Sequence, residues 1–184
     1  MITQENLGGK MIQWVALVSA VFLSSLVWIS ATAQTDDATV TATVTVQNIA
    51  VSVNQASFAY GAMSANTASS TLTLFSGAGI VATNDGSLAD FDIFGADTND
   101  WTLNSATSTA DNYIHKFCNE TANNCSASGV FGADFTALTT SPQTLSSNVA
   151  ADGTVAFQLS LHTPNPSTVF TEQSAVVTVQ ASAP

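Results

Sequence analysis

The feature that most constrains this chain is an alternation of apolar and polar side chains with a period of two, which starts at residue 38. In residues 39–46, Val40, Ala42, Val44 and Val46 alternate with threonines. Such alternation is typical of a β-strand with one buried face, because successive side chains of a strand point to opposite sides. No segment after residue 34 combines helical spacing of apolar residues with helix caps. This part of the chain is therefore predicted to consist of strands.

Similar patterns recur between turn signals such as Asp152-Gly153, which favours a tight turn. Many short strands separated by turns are typical of a β-sandwich. We therefore predict an all-β fold, an antiparallel Ig-like β-sandwich of about 7–10 strands. The candidate strands are 39–46, 49–53, 57–60, 70–75, 79–83, 88–94, 101–103, 112–117, 135–139, 154–162 and 174–181.

The interior of this sandwich should be dominated by aromatic and large aliphatic residues, which contribute most to the energy of a core. They are expected on the inward faces of the central strands. The nominated core residues are Phe58, Tyr60, Phe91, Ile93, Trp101, Leu103, Phe157 and Leu159.

The alternation changes phase after residue 46, where the apolar positions move from even numbers to the odd numbers of Ile49, Val51 and Val53. A slip of one residue inverts the faces of a strand, so a bulge or a change of sheet is expected at Gln47-Asn48. Two interpretations stay open. The first strand crosses between the two sheets of its own domain, or residues 39–46 are donated to a sheet of a neighbouring copy.

Residues 1–33 have the organisation of a secretory signal peptide. A polar start with Lys10 precedes an apolar run over 11–29, and the small residues Ala31 and Ala33 follow it. We predict cleavage before Gln34 and a single β-sandwich domain over residues 34–184.

Two alternatives remain for the same segment. The apolar run approaches the roughly 20 residues that span a bilayer, so it could be an uncleaved hydrophobic anchor helix and the only contact with a membrane. It could also be the retained helix of a pilin-like subunit processed near Gly9-Lys10. All three interpretations place residues 34–184 outside the cytoplasm, secreted or on the cell surface.

The two cysteines, Cys118 and Cys125, lie in a polar stretch with six residues between them. An oxidising compartment favours a disulfide between them. A metal or redox pair would need a C-x-x-C spacing or further ligands, and neither is present. We predict a disulfide.

Charge excludes some partners. Only 8% of the residues are charged, thirteen acidic residues oppose two basic ones, the net charge is −11, and there is no arginine. Binding of nucleic acid or anionic lipid needs clustered Lys and Arg, so neither is expected as a partner.

Aspartates are concentrated between residues 85 and 100. Weak calcium binding by Asp85, Asp97 and Asp100 is one interpretation, since extracellular loops often offer such oxygens to the ion. Solvent-facing and turn-forming carboxylates are the other. No further cofactor is expected.

Catalytic motifs are not found in the sequence. His115 and His162 are its only imidazoles, and it has no nucleophile elbow, zinc-binding His-Glu-x-x-His or phosphate-binding loop. We predict that the protein is not an enzyme.

The run Ala82-Thr-Asn-Asp-Gly-Ser-Leu-Ala-Asp-Phe-Asp-Ile93, followed by Trp101-Thr-Leu103 and the terminal Val176-Val-Thr-Val-Gln180, resembles uncharacterised secreted bacterial Ig-like β-sandwich proteins. More distantly, a leader followed by such a sandwich is similar to camelysin/TasA-type surface fibre subunits. The resemblance implies a structural role in a fibre or surface layer, with copies of the chain or another cell-envelope component as partners. The alternative is an adhesin or carbohydrate-binding module, for which the candidate aromatics are Trp101, Phe94, Tyr113 and Phe131.

Overall fold

The computed structural model describes residues 38–123, 125 and 134–184. The chain divides into two units, Met1–Val44 and Thr45–Pro184. In the first unit, the described residues 38–44 form no helix or strand and are exposed. The predicted leader and its boundary at residue 33 lie outside the described residues. No helix in the described part of the chain has the length and apolar character needed to cross a membrane.

The regular secondary structure described in the second unit is β-strand, apart from one helical turn. Its described elements are β1 (Val51–Val53), β2 (Ala68–Ser70), α1 (Thr71–Leu74), β3 (Ile80–Asn84), β4 (Ala89–Gly95), β5 (Thr102–Leu103), β6 (Asn112–Asn119), β7 (Thr136–Ala137), β8 (Gln143–Val149), β9 (Thr154–His162) and β10 (Val177–Ser182).

The larger of two sheets has the strand order β1-β3-β9-β6-β5, with β2 also paired to β9 and β7 to β6. Its pairs are antiparallel except β5 with β6. Strands β2 and β3 follow one another along β9, since Ser70 is opposite Ser160 and Ile80 is opposite Phe157. Helix α1 is therefore an excursion between two parts of one interrupted strand.

The smaller sheet has the order β10-β4-β8, and both of its pairs are antiparallel. In β4 the side chains of Phe91 and Ile93 are fully buried, while the alternate residues Asp90, Asp92 and Phe94 are half-buried. They belong to one hydrophobic core with Phe157 and Leu159 of β9 in the larger sheet. The predicted all-β fold is thus confirmed as a two-layered, sandwich-like arrangement around a shared core.

The predicted segments 79–83, 88–94, 112–117 and 154–162 correspond to β3, β4, β6 and β9. The nominated core is only partly correct. Phe91, Ile93, Phe157 and Leu159 are buried, Phe58 and Leu103 are half-buried against the core, and Tyr60 and Trp101 are also half-buried.

Three predicted strands are wrong. Residues 39–46 form no strand, and neither do residues 57–60. Segment 70–75 leaves the sheet at Thr71. The hydroxyl of Thr71 donates to the side-chain oxygen of Gln158 and accepts from the backbone N–H of Leu159, so it occupies the place where β2 would otherwise continue along β9.

Strand β8 was not predicted, because its backbone and its pairing with β4 are irregular. Its pairing with β4 shifts register twice, and Asn148 has a positive φ of 55°. Ser147 is exposed between the buried residues Leu145 and Val149, where regular alternation would bury it, so the period of two is interrupted.

Candidate functional site

His115 lies inside the protein, with 2% of its surface exposed. Its Nε2 is 3.0 Å from the hydroxyl oxygen of Tyr60. Burial lowers the pKa of His115 to about 4, so the ring is neutral at ordinary pH. Burial, and secondarily the electrostatic influence of the neighbouring Tyr113 hydroxyl, raise the pKa of Tyr60 far above its usual range. Tyr60 therefore keeps its proton, and its hydroxyl is hydrogen-bonded to Nε2 of His115.

This arrangement leaves Nδ1 of His115 buried without a hydrogen-bond partner in the described part of the chain. A catalytic histidine is normally oriented by a partner on its second nitrogen and reaches a substrate. His115 instead packs between aromatic rings, with centroids 5.9 Å from Tyr60 and 6.3 Å from Tyr113. The geometry is that of a packed core residue.

The predicted binding aromatics do not form one exposed group. Tyr113 is fully buried, and its hydroxyl donates to the carbonyl of Ala96, so it does not face outward as a binding aromatic would have to. Burial is tolerated because that hydrogen bond satisfies the hydroxyl. Trp101 is half-buried with its ring centroid 6.2 Å from that of Tyr113, Phe94 is half-buried on β4, and Phe131 lies outside the described residues.

Two of the three aspartates nominated for calcium, Asp97 and Asp100, accept hydrogen bonds from other groups of the protein. Asp97 accepts the backbone N–H of Leu103 at 2.7 Å, and Asp100 accepts from Nε2 of Gln173 at 2.8 Å. Asp85 is exposed in the turn after β3. Among the described residues, no three His, Cys, Asp or Glu side chains come together to hold a metal ion.

The cysteines behave as predicted. Cys118 on β6 and Cys125 form a disulfide, with 6.0 Å between their Cα atoms. Both are buried, and together with Phe135 and the partly buried Leu72 of α1 they form a second, smaller apolar cluster. The disulfide thus fastens the end of β6 to the chain that follows it.

The N-terminal arm, which we define as residues 38–47, is the most unusual surface of the described chain. Val40, Val44 and Val46 are 93%, 88% and 86% exposed. The arm carries no charged residue and forms no secondary structure. Rows of exposed apolar side chains on soluble proteins generally mark an interaction surface.

After the arm, the chain is held firmly to the turn between β3 and β4. The backbone N–H of Ser87 donates to the carbonyl of Asn48 at 2.6 Å, and that of Asp85 donates to the carbonyl of Ala50 at 3.1 Å. A Cβ on Gly86 would lie only 2.2 Å from the Asn48 oxygen, so glycine is required for this close approach. The arm therefore leaves the folded unit at a fixed point.

Comparison of the chain with protein-family models, with curated proteins and with solved structures finds no match.

Sequence reasoning missed two buried polar residues. Gln158 accepts from the hydroxyl of Thr71 and donates to the carboxylate of Glu120 at 2.8 Å. Asn84 is the last residue of β3, and its Nδ2 donates to the carbonyl groups of Ser87, Val149 and Ala150. The only signal available was a polar residue in an otherwise apolar strand pattern, and its partners are distant in sequence.

Proposed function

We propose that this chain is a secreted or cell-surface structural protein, an Ig-like sandwich that assembles with further copies of itself through its N-terminal arm. The observation that carries the proposal is the exposed row of Val40, Val44 and Val46 on a segment with strict two-residue alternation. The leader pattern and the disulfide support a location outside the cytoplasm, since disulfides persist in oxidising compartments.

The arm alternates apolar and polar side chains but belongs to no sheet, so it is suited to joining the sheet of another molecule as an extra strand. Strand addition supplies a ladder of main-chain hydrogen bonds and buries every second side chain. Burying a valine side chain contributes about 1.5–3 kcal/mol, so covering the row gives a substantial driving force. The other face of the arm carries threonines, which suit the solvent face of a strand.

The net charge of −11 opposes close association of identical copies. The arm itself is uncharged, so this repulsion comes from residues outside it, including Asp36 and Asp37 immediately before it, and is weakened by salt. Assembly should therefore increase with ionic strength.

The test is light scattering of the secreted protein over a range of concentration and salt. We expect polymers that grow with both. Replacing Val40, Val44 and Val46 by threonine keeps the shape and strand propensity but removes the apolar row, and should leave monomers. The matched control replaces Thr41, Thr43 and Thr45 by serine and should still polymerise. An unmodified protein that stays monomeric at every concentration would contradict the proposal.

A further inference from the structure

The two edges of the smaller sheet differ in how well the core beneath them is covered. Along β8, Leu145 and Val149 are buried, with 4% and 7% of their surface exposed. Along β10, Val177, Val179 and Ala181 pack against the same core but are only half-buried. The core is closed beside β8 and open beside β10.

The backbone of β8 is also less suited to pairing with a further strand than that of β10. Strand β8 has two register shifts, and its Leu145 carbonyl accepts from Nδ2 of Asn119 at 2.6 Å. Bulges and occupied backbone groups are ways in which proteins protect an edge from further pairing. Strand β8 is thus a poor template for another strand.

Strand β10 has none of this protection. Six consecutive residues from Val177 to Ser182 pair with β4 without a register shift. Among the described residues β10 pairs with no other strand, and it contains neither proline nor a charged residue. Proteins usually protect a regular edge strand with such residues, so the edge of β10 that is not paired to β4, near which β1 also lies, suits a docking strand.

We propose that the outer edge of β10 accepts the arm of a second copy of this chain. The alternating part of the arm, residues 39–46, is long enough to cover the six residues of β10. Its valines then lie beside Val177 and Val179 over the open part of the core, and its threonines continue the solvent face. This inference rests on the proposed function and adds to it the acceptor site.

Variants with one added cysteine test this pairing, because the two native cysteines are held in their disulfide and leave the added thiol as the reactive one. The donor variant is Thr43→Cys in the arm. The acceptor variant is Gln180→Cys on β10, and the matched control acceptor is Ser147→Cys on β8, since both of these residues are exposed. Donor and acceptor chains carry tags of different size, are refolded together without reductant, and are treated with a short bismaleimide.

We expect a cross-linked heterodimer from Thr43→Cys with Gln180→Cys, at several times the yield obtained with Ser147→Cys. Equal or greater yield with Ser147→Cys, or polymers without the expected cross-link, would overturn the β10 edge while leaving self-assembly intact. Light scattering of the same mixtures separates this result from failure of the proposed function, in which no polymers form at all. An arm that folds onto its own β10 would also give no heterodimer and would contradict the exchange.

Discussion

Asn84 connects the two turns at one end of the sandwich, and replacing it by aspartate should be severely destabilising. Its side chain is fully buried. The Nδ2 group donates to the carbonyls of Ser87 at 2.7 Å, Val149 at 2.8 Å and Ala150 at 3.0 Å, while Oδ1 accepts from the N–H of Gly86 at 3.0 Å. The residue therefore links the β3–β4 turn to the β8–β9 turn.

The substitution Asn84→Asp preserves size and the Oδ1 acceptor but places a carboxyl oxygen against three carbonyl oxygens. Two N–H donors are lost at about 1 kcal/mol each, and the carbonyls left unsatisfied in a buried site add about 1–3 kcal/mol. We expect a loss of about 3–5 kcal/mol, a large part of the 5–15 kcal/mol typical of a domain. Burial raises the pKa of the introduced carboxyl above its unfolded value, so the loss should shrink as the pH falls and that carboxyl takes up a proton.

The assay is denaturant unfolding followed by circular dichroism at pH 7 and a fixed protein concentration. The matched control is Asn112→Asp, whose amide donates to Thr109 and to the carbonyl of Ala110 in an exposed turn. It should cost less than about 1 kcal/mol, since water can replace those bonds. Equal losses for Asn84→Asp and Asn112→Asp would refute the assigned role of the buried amide.

Four further outcomes are expected. The free energy of unfolding should fall as the pH drops from about 6.5 to about 4, by at most about 1.4 kcal/mol per pH unit. Burial lowers the pKa of His115 to about 4, so the unfolded chain takes up the proton at a higher pH than the folded one. His115→Phe should flatten this slope in a series of unfolding curves measured at different pH. Gly86→Ala should lower the melting temperature by several degrees, since the new Cβ meets the backbone oxygen of Asn48, and an unchanged value would contradict that contact. Thiol labelling of the denatured, unreduced protein should find no reactive Cys118 or Cys125, and two labelled thiols would exclude the disulfide. Millimolar calcium should change the melting temperature by no more than a degree or two, whereas a large rise would show a specific site.

The parts of the fold that were predictable from sequence are those in which the pattern is local and regular. Phe91 and Ile93 in β4, and Phe157 and Leu159 in β9, alternate over uninterrupted strands and are buried as expected. Strand β8 was missed because its irregular pairing with β4 is not encoded in any local period.

The predictions about sites depended on contacts between distant residues, and these were less accessible. Tyr60 and His115 are 55 positions apart, so the bond between them has no signature in sequence. Tyr113 was expected at the surface as a binding aromatic, yet its hydroxyl finds the Ala96 carbonyl in the interior. The disulfide was predictable because the two cysteines are only seven positions apart and the sequence offers no other partner for either.

Electron cryomicroscopy of the assembled secreted protein would show where the arm binds. We expect polymers in which the smaller sheet, β10-β4-β8, gains a fourth strand along β10, formed by residues 39–46 of the neighbouring copy. Discrete monomers, or polymers in which the edge of β10 is bare, would contradict it.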